Sequence, residues 1–298
     1  MRWILTGAAA AAVFGGSVIA ALAAWPIGEE PDLPELEGDV ARGAYLARAS
    51  GCIACHTDTE GGGKPLAGGA PLATDFGTFY PPNLTTDPGY GIGGWTQKDF
   101  ARAVRQGISP SGEPYYPTFT YPFYANFTDQ DIADLWAAFQ TVPPVAEPDR
   151  PHDTSFPFDQ RWGLKLWRAA FLEPPETGPV PGKSEQWNRG RALVEGAAHC
   201  AACHTGRNLA GARVPELRFK GNDRLPGGSK APPIDPASLR EKGWDADALA
   251  YGLKTGLTPS GDAMGGSMGE VVFQGTAFLT DEDRRAMAAY LMDPAAGG

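Results

Sequence analysis

The four cysteines of the 298-residue chain sit in only two places, Cys52-Ile53-Ala54-Cys55-His56 and Cys200-Ala201-Ala202-Cys203-His204. A Cys-x-x-Cys-His string reads as a c-type haem attachment, in which two thiols bond covalently to the porphyrin vinyl groups and the adjoining histidine is set beneath the iron as an axial ligand. Two strings predict two covalently attached haem c groups. Cys52, Cys55, Cys200 and Cys203 are the tethers, and His56 and His204 are iron ligands. The competing readings are a structural disulfide pair, a thioredoxin-like dithiol, or one zinc site built from both pairs. Zinc leaves the two following histidines unexplained, and a thioredoxin site wants a strand-to-helix context that is missing here.

The chain between these strings is rich in turns, with 39 glycines and 28 prolines against only 20% charged residues, so long loops carry much of the fold. An apolar content of 42% excludes a disordered chain, and no second long apolar run follows the N-terminus, which excludes a multi-spanning membrane protein. A net charge of -10 argues against a nucleic-acid binder, because phosphate contacts require an excess of Lys and Arg.

The start of the chain is a different kind of sequence. Arg2 is followed by an uncharged run from Ile4 to Ala24, and then by the acids Glu29, Glu30, Asp32, Glu35 and Glu37. Residues 1–27 read as an export segment, either a signal or a membrane anchor, and 28–38 as an acidic, solvated spacer. Ala21-Leu22-Ala23 offers a cleavage site, while the length of the run favours a retained single-helix anchor. Both outcomes place the protein on the far side of the membrane it is exported across, the location that haem attachment also requires.

Three blocks recur in the same order in the two halves. Arg42-Gly43 leading to the first cysteine string is answered by Arg189-Gly190 leading to the second. The block from Trp95 through Phe100, Val104 and Gly107 to Ser109-Pro110-Ser111-Gly112 is answered by Trp244 through Leu249, Leu253 and Gly256 to Thr258-Pro259-Ser260-Gly261. Phe127-Thr128-Asp129-Gln130-Asp131 is answered by Leu279-Thr280-Asp281-Glu282-Asp283. The offsets of 148, 149 and 152 residues are nearly constant, so one haem domain is used twice, over 39–142 and 184–298. In each unit an opening helix precedes the haem string, from Val40 to Arg48 and from Trp187 to Glu195. A closing helix begins after Thr128 or Thr280, both good N-caps with acids in the first turn. Residues 143–183 form a proline-rich ordered connector, in which Trp162, Leu166, Ala169 and Ala170 predict one amphipathic helix packed on both domains.

The halves differ at the expected second axial ligand. An electron-carrying haem c usually has a methionine there, and of Met1, Met264, Met268, Met287 and Met292 none lies in the first domain. Met268, in Gly265-Gly266-Ser267-Met268-Gly269, is read as a flexible-loop ligand of the second iron, with Met264 as runner-up and Met287 and Met292 as core. The repeat offset places Phe119 opposite Met268. The first iron is then five-coordinate under Phe119, ligated by Tyr115, Tyr116 or Tyr121, or ligated by a histidine from outside the repeat. His152 in the connector is the candidate for that last role, and His199 is assigned to the second domain near its own haem. Arg102, Arg105 and Arg207 are candidates for neutralising haem propionates.

Several strings together carry a family resemblance. Gly77-Thr78-Phe79-Tyr80-Pro81-Pro82-Asn83-Leu84-Thr85-Thr86-Asp87, Gly91-Ile92-Gly93-Gly94-Trp95, Tyr116-Pro117-Thr118-Phe119-Thr120-Tyr121 and Gly265-Gly266-Ser267-Met268-Gly269-Glu270-Val271-Val272 are similar to the cytochrome c subunits of bacterial membrane-bound alcohol and gluconate dehydrogenases. The resemblance covers both haem domains. It implies a mainly α fold of two tandem class I-like cytochrome c domains with long loops behind an N-terminal hydrophobic helix, and receipt of electrons from a periplasmic dehydrogenase. Those subunits carry three haems where this chain has two strings, so it resembles a shorter diheme branch. Their Tyr-Pro-Ala-Met-Pro-Tyr string is here Tyr-Pro-Thr-Phe-Thr-Tyr, and Pro232-Pro233-Ile234-Asp235 replaces their Pro-Asn-Ile-Thr.

The expected function is therefore electron transfer. A lower-potential first haem passes electrons from a dehydrogenase donor to a methionine-ligated second haem and on to a cytochrome, oxidase or other carrier. The alternative is a diheme redox enzyme of peroxidase or thiosulfate dehydrogenase type, using the first iron as an open catalytic site. A stand-alone sensor has no signalling module to support it.

Overall fold

In the computed structural model, residues 16–17, 20–22 and 24–293 are described. Most of the apolar run from Ile4 to Ala24, and with it the expected hydrophobic helix, lies outside them. Among the described residues no helix is long and apolar enough to cross a membrane.

The first domain opens with α1 (Val40–Ala49), whose N-cap Asp39 accepts from the Arg42 backbone N–H. A left-handed Gly51 turns the chain directly into α2 (Cys52–Cys55). Two three-residue strands follow, β1 (Leu72–Thr74) and β2 (Gly77–Phe79), paired antiparallel with Leu72 opposite Phe79. Next come α3 (Gln97–Ala101), extended by a π-helical turn through Gln106, the short α4 (Tyr121–Tyr124), and the closing α5 (Asp129–Phe139). Thr128 and Asp131 form a capping box on α5, each side chain satisfying the other's backbone N–H, as the Thr-x-x-Asp spacing requires.

The connector holds α6 (Trp162–Phe171). The second domain repeats the pattern: α7 (Glu185–Ala192) with a π turn to Ala197, α8 (Ala201–His204), α9 (Pro236–Glu241), α10 (Ala246–Thr255), α11 (Ser267–Gln274) and the closing α12 (Asp281–Leu291). The architecture is mostly helical with little sheet.

In both domains the opening and closing helices cross at a glycine. A Cβ added at Gly43 would overlap the Asp134 carbonyl oxygen, and one added at Gly190 would overlap the Ala286 carbonyl oxygen, so only glycine lets the backbones approach this closely. The arginine before each glycine spans the crossing. Arg42 grips the Asp134 carboxylate through Nε and Nη2 at 2.7 and 2.9 Å, and Arg189 grips Asp283 at 2.7 and 2.6 Å. The middle blocks also superpose in their bonding: Gly107 and Gly256 both end a helix in the left-handed region, and the turns after them close through Gly112 N–H to Ser109 O and Gly261 N–H to Thr258 O, each 2.9 Å.

One buried cluster runs through both halves, joining Phe100, Phe123, Tyr124, Ile132 and Leu135 to Val194, Ala197, Leu253 and Met287. The connector is stitched to the first domain by paired backbone bonds between Thr78 and Asp153. Its helix differs from expectation in orientation. Leu166, Ala169 and Ala170 are exposed, and no residue of α6 is fully buried. The inward side is anchored by polar groups instead: Lys165 donates to the Trp25 carbonyl, Trp167 to Ala210, and Arg168 to Gln106. Helical periodicity identifies the apolar stripe but not the side to which it faces, and here the stripe faces out.

Candidate haem sites

Cys52 and Cys55 lie one helical turn apart on α2, and Cys200 and Cys203 in the same relation at the start of α8, with His56 and His204 at the ends of those turns. The spacing puts both thiols of a pair on one side and delivers the histidine just beyond them. All four cysteines are free thiols, and among the described residues no group of three or more His, Cys, Asp or Glu side chains converges as a metal site. Burial pushes the Cys52 and Cys200 thiols up to about 12, with the neighbouring Cys55 and Glu195 adding to it respectively. Thiols held protonated in this way make poor dithiol nucleophiles. The disulfide, zinc and dithiol readings thus find no support in the donor set.

The histidines are prepared alike. His56 Nδ1 lies 2.8 Å from the Pro82 carbonyl oxygen, and His204 Nδ1 lies 2.7 Å from that of Pro232. A carbonyl only accepts, so each Nδ1 carries the proton and each Nε2 is left with its lone pair, the tautomer an iron ligand needs. Burial lowers the imidazole of His56 to about 4, against a smaller opposing pull from Pro82, and lowers that of His204 for the same reason. Both rings are therefore neutral at neutral pH. The residues fit a covalently tethered haem in each half: paired thiols, an oriented neutral imidazole, and a cysteine string packed against the buried core through Cys52, Ile53 and Cys200.

The residues expected over the two haem sites are unequal. Met268 is half-buried against the core on the first turn of α11, not in a flexible loop. Gly266, at φ 57, turns the chain into that helix, and Val272 then buries its side. Met264 is half-buried just upstream, and Met287 is fully buried, as a core residue should be.

In the first domain Phe119 packs against Tyr115, Tyr121 and Tyr124, with ring centroids 5.9, 6.2 and 5.9 Å away. The neighbouring polar groups are committed elsewhere or costly to ionise. Tyr116 donates to the Phe158 carbonyl at 2.8 Å, and burial pushes the Tyr115 hydroxyl up to about 12. Tyr121 is fully buried, and burial pushes its hydroxyl up against a smaller opposing pull from Arg168. His152 sits edge-on between Phe79 and Tyr116, and its Nδ1 accepts the Tyr80 backbone N–H at 3.2 Å. That bond places the histidine's own proton on Nε2, the reverse of the tautomer found at His56 and His204, so the ring is held as a brace for the Tyr80 strand end.

The arginines named as propionate partners are likewise engaged. Arg102 reaches the Ile27 carbonyl, Arg105 pairs with Asp129 at 2.8 Å, and Arg207 donates to the Gly211 and Ala202 carbonyls. His199 has a position that the sequence did not reveal. It is a positive-φ residue whose ring packs on Phe123 and Tyr124 of the first domain, and a Cβ at Gly51 would stand 3.8 Å from its Nε2. The residue preceding the second cysteine string therefore abuts the residue preceding the first. Arg213 adds a cation–π contact across the same seam, 4.2 Å above Phe123.

The cytochrome c family profile matches residues 40–139 and 188–293, one match on each half. A diheme cytochrome c-type protein of Cereibacter sphaeroides is 43% identical over 271 residues, covering 89% of this chain and 90% of that protein. The cytochrome c subunit of a quinone alcohol dehydrogenase of Komagataeibacter europaeus is 38% identical over 289 residues, covering 93% of this chain and 60% of the subunit. The gluconate 2-dehydrogenase cytochrome c subunit of Pantoea cypripedii is 39% identical over 263 residues, covering 85% of this chain and 58% of the subunit. The chain thus spans nearly all of the first relative and less than two thirds of the other two.

Proposed function

Because the chain belongs to the cytochrome c family, with one family match on each half, we propose that it is a diheme electron-transfer protein on the periplasmic side of the inner membrane. In this reading it takes electrons from a dehydrogenase partner and delivers them to a cytochrome, oxidase or other carrier. The observation that carries it is the matched pair of histidine tautomers, His56 on Pro82 and His204 on Pro232. A bound haem supplies the iron that takes up and returns one electron, while the protein supplies ligation, burial and control of potential. Cys52 and Cys55 hold the group in the first domain, and Cys200 and Cys203 in the second. Met268 would supply a thioether to a haem held in the second domain, a ligand that raises potential, and Phe119 carries none for the first.

The partner is inferred from relatives that are cytochrome c subunits of dehydrogenases acting on alcohol and gluconate. The test is quantitation of covalently attached haem together with a redox titration of protein matured in a periplasm. Two equivalents of haem and two separated midpoints are expected, and Met268→Ala is expected to move only the upper one. A single equivalent, or coincident midpoints, refutes the reading.

The packing around Phe119 favours one alternative, a diheme redox enzyme of peroxidase or thiosulfate dehydrogenase type. Phe119 itself carries no ligand atom, Tyr124 donates its hydroxyl to the Ser50 carbonyl, and burial holds the Tyr115 hydroxyl protonated. Carbon monoxide or cyanide binding to one haem, with turnover of a small substrate, decides for this reading; a first haem indifferent to both decides against it.

A further inference from the structure

Helix α6 is built with its polarity reversed for a water-facing helix. Its charged side chains, Lys165 and Arg168, point to the protein, where they donate to the carbonyls of Trp25 and Gln106 at 2.6 Å each. Its outer face is Gly163, Leu166, Ala169 and Ala170; Leu166 is 49% exposed, and a Cβ at Gly163 would meet nothing within 4 Å. Phe171 at its end is 41% exposed. An apolar helical face turned to solvent this way marks a surface that something covers.

The position of the face says what covers it. Lys165 holds the carbonyl of Trp25, itself 68% exposed, and Trp25 is the residue immediately after the uncharged run from Ile4 to Ala24. That run has 21 residues, enough for a helix to cross the roughly 30 Å hydrocarbon core of a bilayer. A chain emerging from a bilayer there would carry α6 beside its point of exit. Trp25 and the α6 residue Trp162 supply amphipathic rings of the kind that settle at the headgroup level, and Phe171 adds exposed apolar area. The acids nearest the exit, Glu29 and Glu30, make attraction to anionic lipid a poor alternative driving force, so burial of the apolar face is the operative one.

We infer that α6 is an interfacial helix, lying on the membrane surface with Gly163, Leu166, Ala169 and Ala170 turned into the lipid. This rests on the anchored, periplasmic reading above and deepens it, since two attachments fix the orientation of both haem domains over the bilayer where a single tether would leave them free to tumble.

Spin labels on Leu166→Cys and Ala170→Cys, in the full-length haem-loaded protein whose native thiols are consumed by attachment, read this directly. A label on Tyr251→Cys of α10 serves as reference. In phosphatidylethanolamine–phosphatidylglycerol vesicles, power saturation is expected to show the α6 labels changing from access by a water-soluble nickel chelate to access by oxygen, with Tyr251 unchanged. If the protein floats with the vesicles but the α6 labels stay open to the chelate, the interfacial helix is wrong and the anchor stands. If they become shielded only on crowding or on adding a dehydrogenase subunit, the face belongs to a protein contact and the inference is overturned. If the full chain does not float with vesicles, both the anchor and the interfacial helix fail.

Discussion

The Tyr45 hydroxyl in the opening helix of the first domain donates a 2.6 Å hydrogen bond to the Asp283 carboxylate in the closing helix of the second. The same oxygen accepts the Thr280 backbone N–H at 3.0 Å, so it completes the N-terminal cap of that helix from across the domain boundary. Tyr45→Phe removes both bonds without altering packing. Because the acceptor is a buried charge, the expected cost is about 2 kcal/mol, measured by denaturant unfolding of the haem-loaded protein. A variant as stable as wild type contradicts a structural bridge at this point.

Asp283 also sets a pH dependence. Burial pushes its carboxyl up, but the hydrogen bonds from Arg189 and Tyr45 and the charge of Arg189 together outweigh that and leave it below the ordinary carboxylate range. A depressed folded value means stabilisation that is present above the unfolded value, about 4, and lost as pH falls through the folded one. The thermal midpoint of wild type should drop more steeply than that of Asp283→Asn as the pH is taken from 5 down to about 2. Parallel curves for the two proteins would remove Asp283 from the acid response.

Glycine substitutions should split by sign. At Gly43 and Gly190 a methyl group meets a backbone carbonyl of the partner helix, so Gly43→Ala and Gly190→Ala are each expected to cost about 3 kcal/mol or prevent haem attachment to their own domain. At Gly163, in the first turn of α6 with open space around it, Ala is expected to gain about 0.5 kcal/mol. Calorimetry on the three variants checks the contrast, and a destabilised Gly163→Ala would show that α6 packs more tightly than described.

The proposed inequality of the two haem sites can be edited. Phe119→Met places a thioether at the position matching Met268, and the lower midpoint is expected to rise towards the upper. His152→Ala is expected to leave the ligand-sensitive magnetic circular dichroism bands of the first haem unchanged while costing about 1–3 kcal/mol, because the Tyr80 N–H loses its acceptor. Altered bands in His152→Ala would make that histidine a ligand after all.

The parts of the fold that could be read from the sequence are those written in local spacing. Thr128 and Thr280 announce their helices because a cap and its first-turn acids lie within four residues, and both helices begin where expected. Gly43 and Gly190 could be matched to each other by repeat offset, although their shared reason, a helix crossing, became visible only in three dimensions. His199 escaped because its partners, Phe123 and Tyr124, lie some 75 residues away and its own neighbourhood suggested only the adjacent haem string. The hairpin of β1 and β2 is too short for alternation to rise above the surrounding turns. The inversion of α6 escaped for a different reason: a periodic stripe has no sign until the neighbours that face it are known.

The seam at Gly51 and His199 has a dynamic consequence. The residues ahead of both attachment strings are in contact, and one buried core lies behind them, which ties the two halves together at this point. Tunnelling between redox centres decays steeply with separation, so for two haems held as proposed such a seam would act as a ruler, setting their rate of exchange when the chain folds.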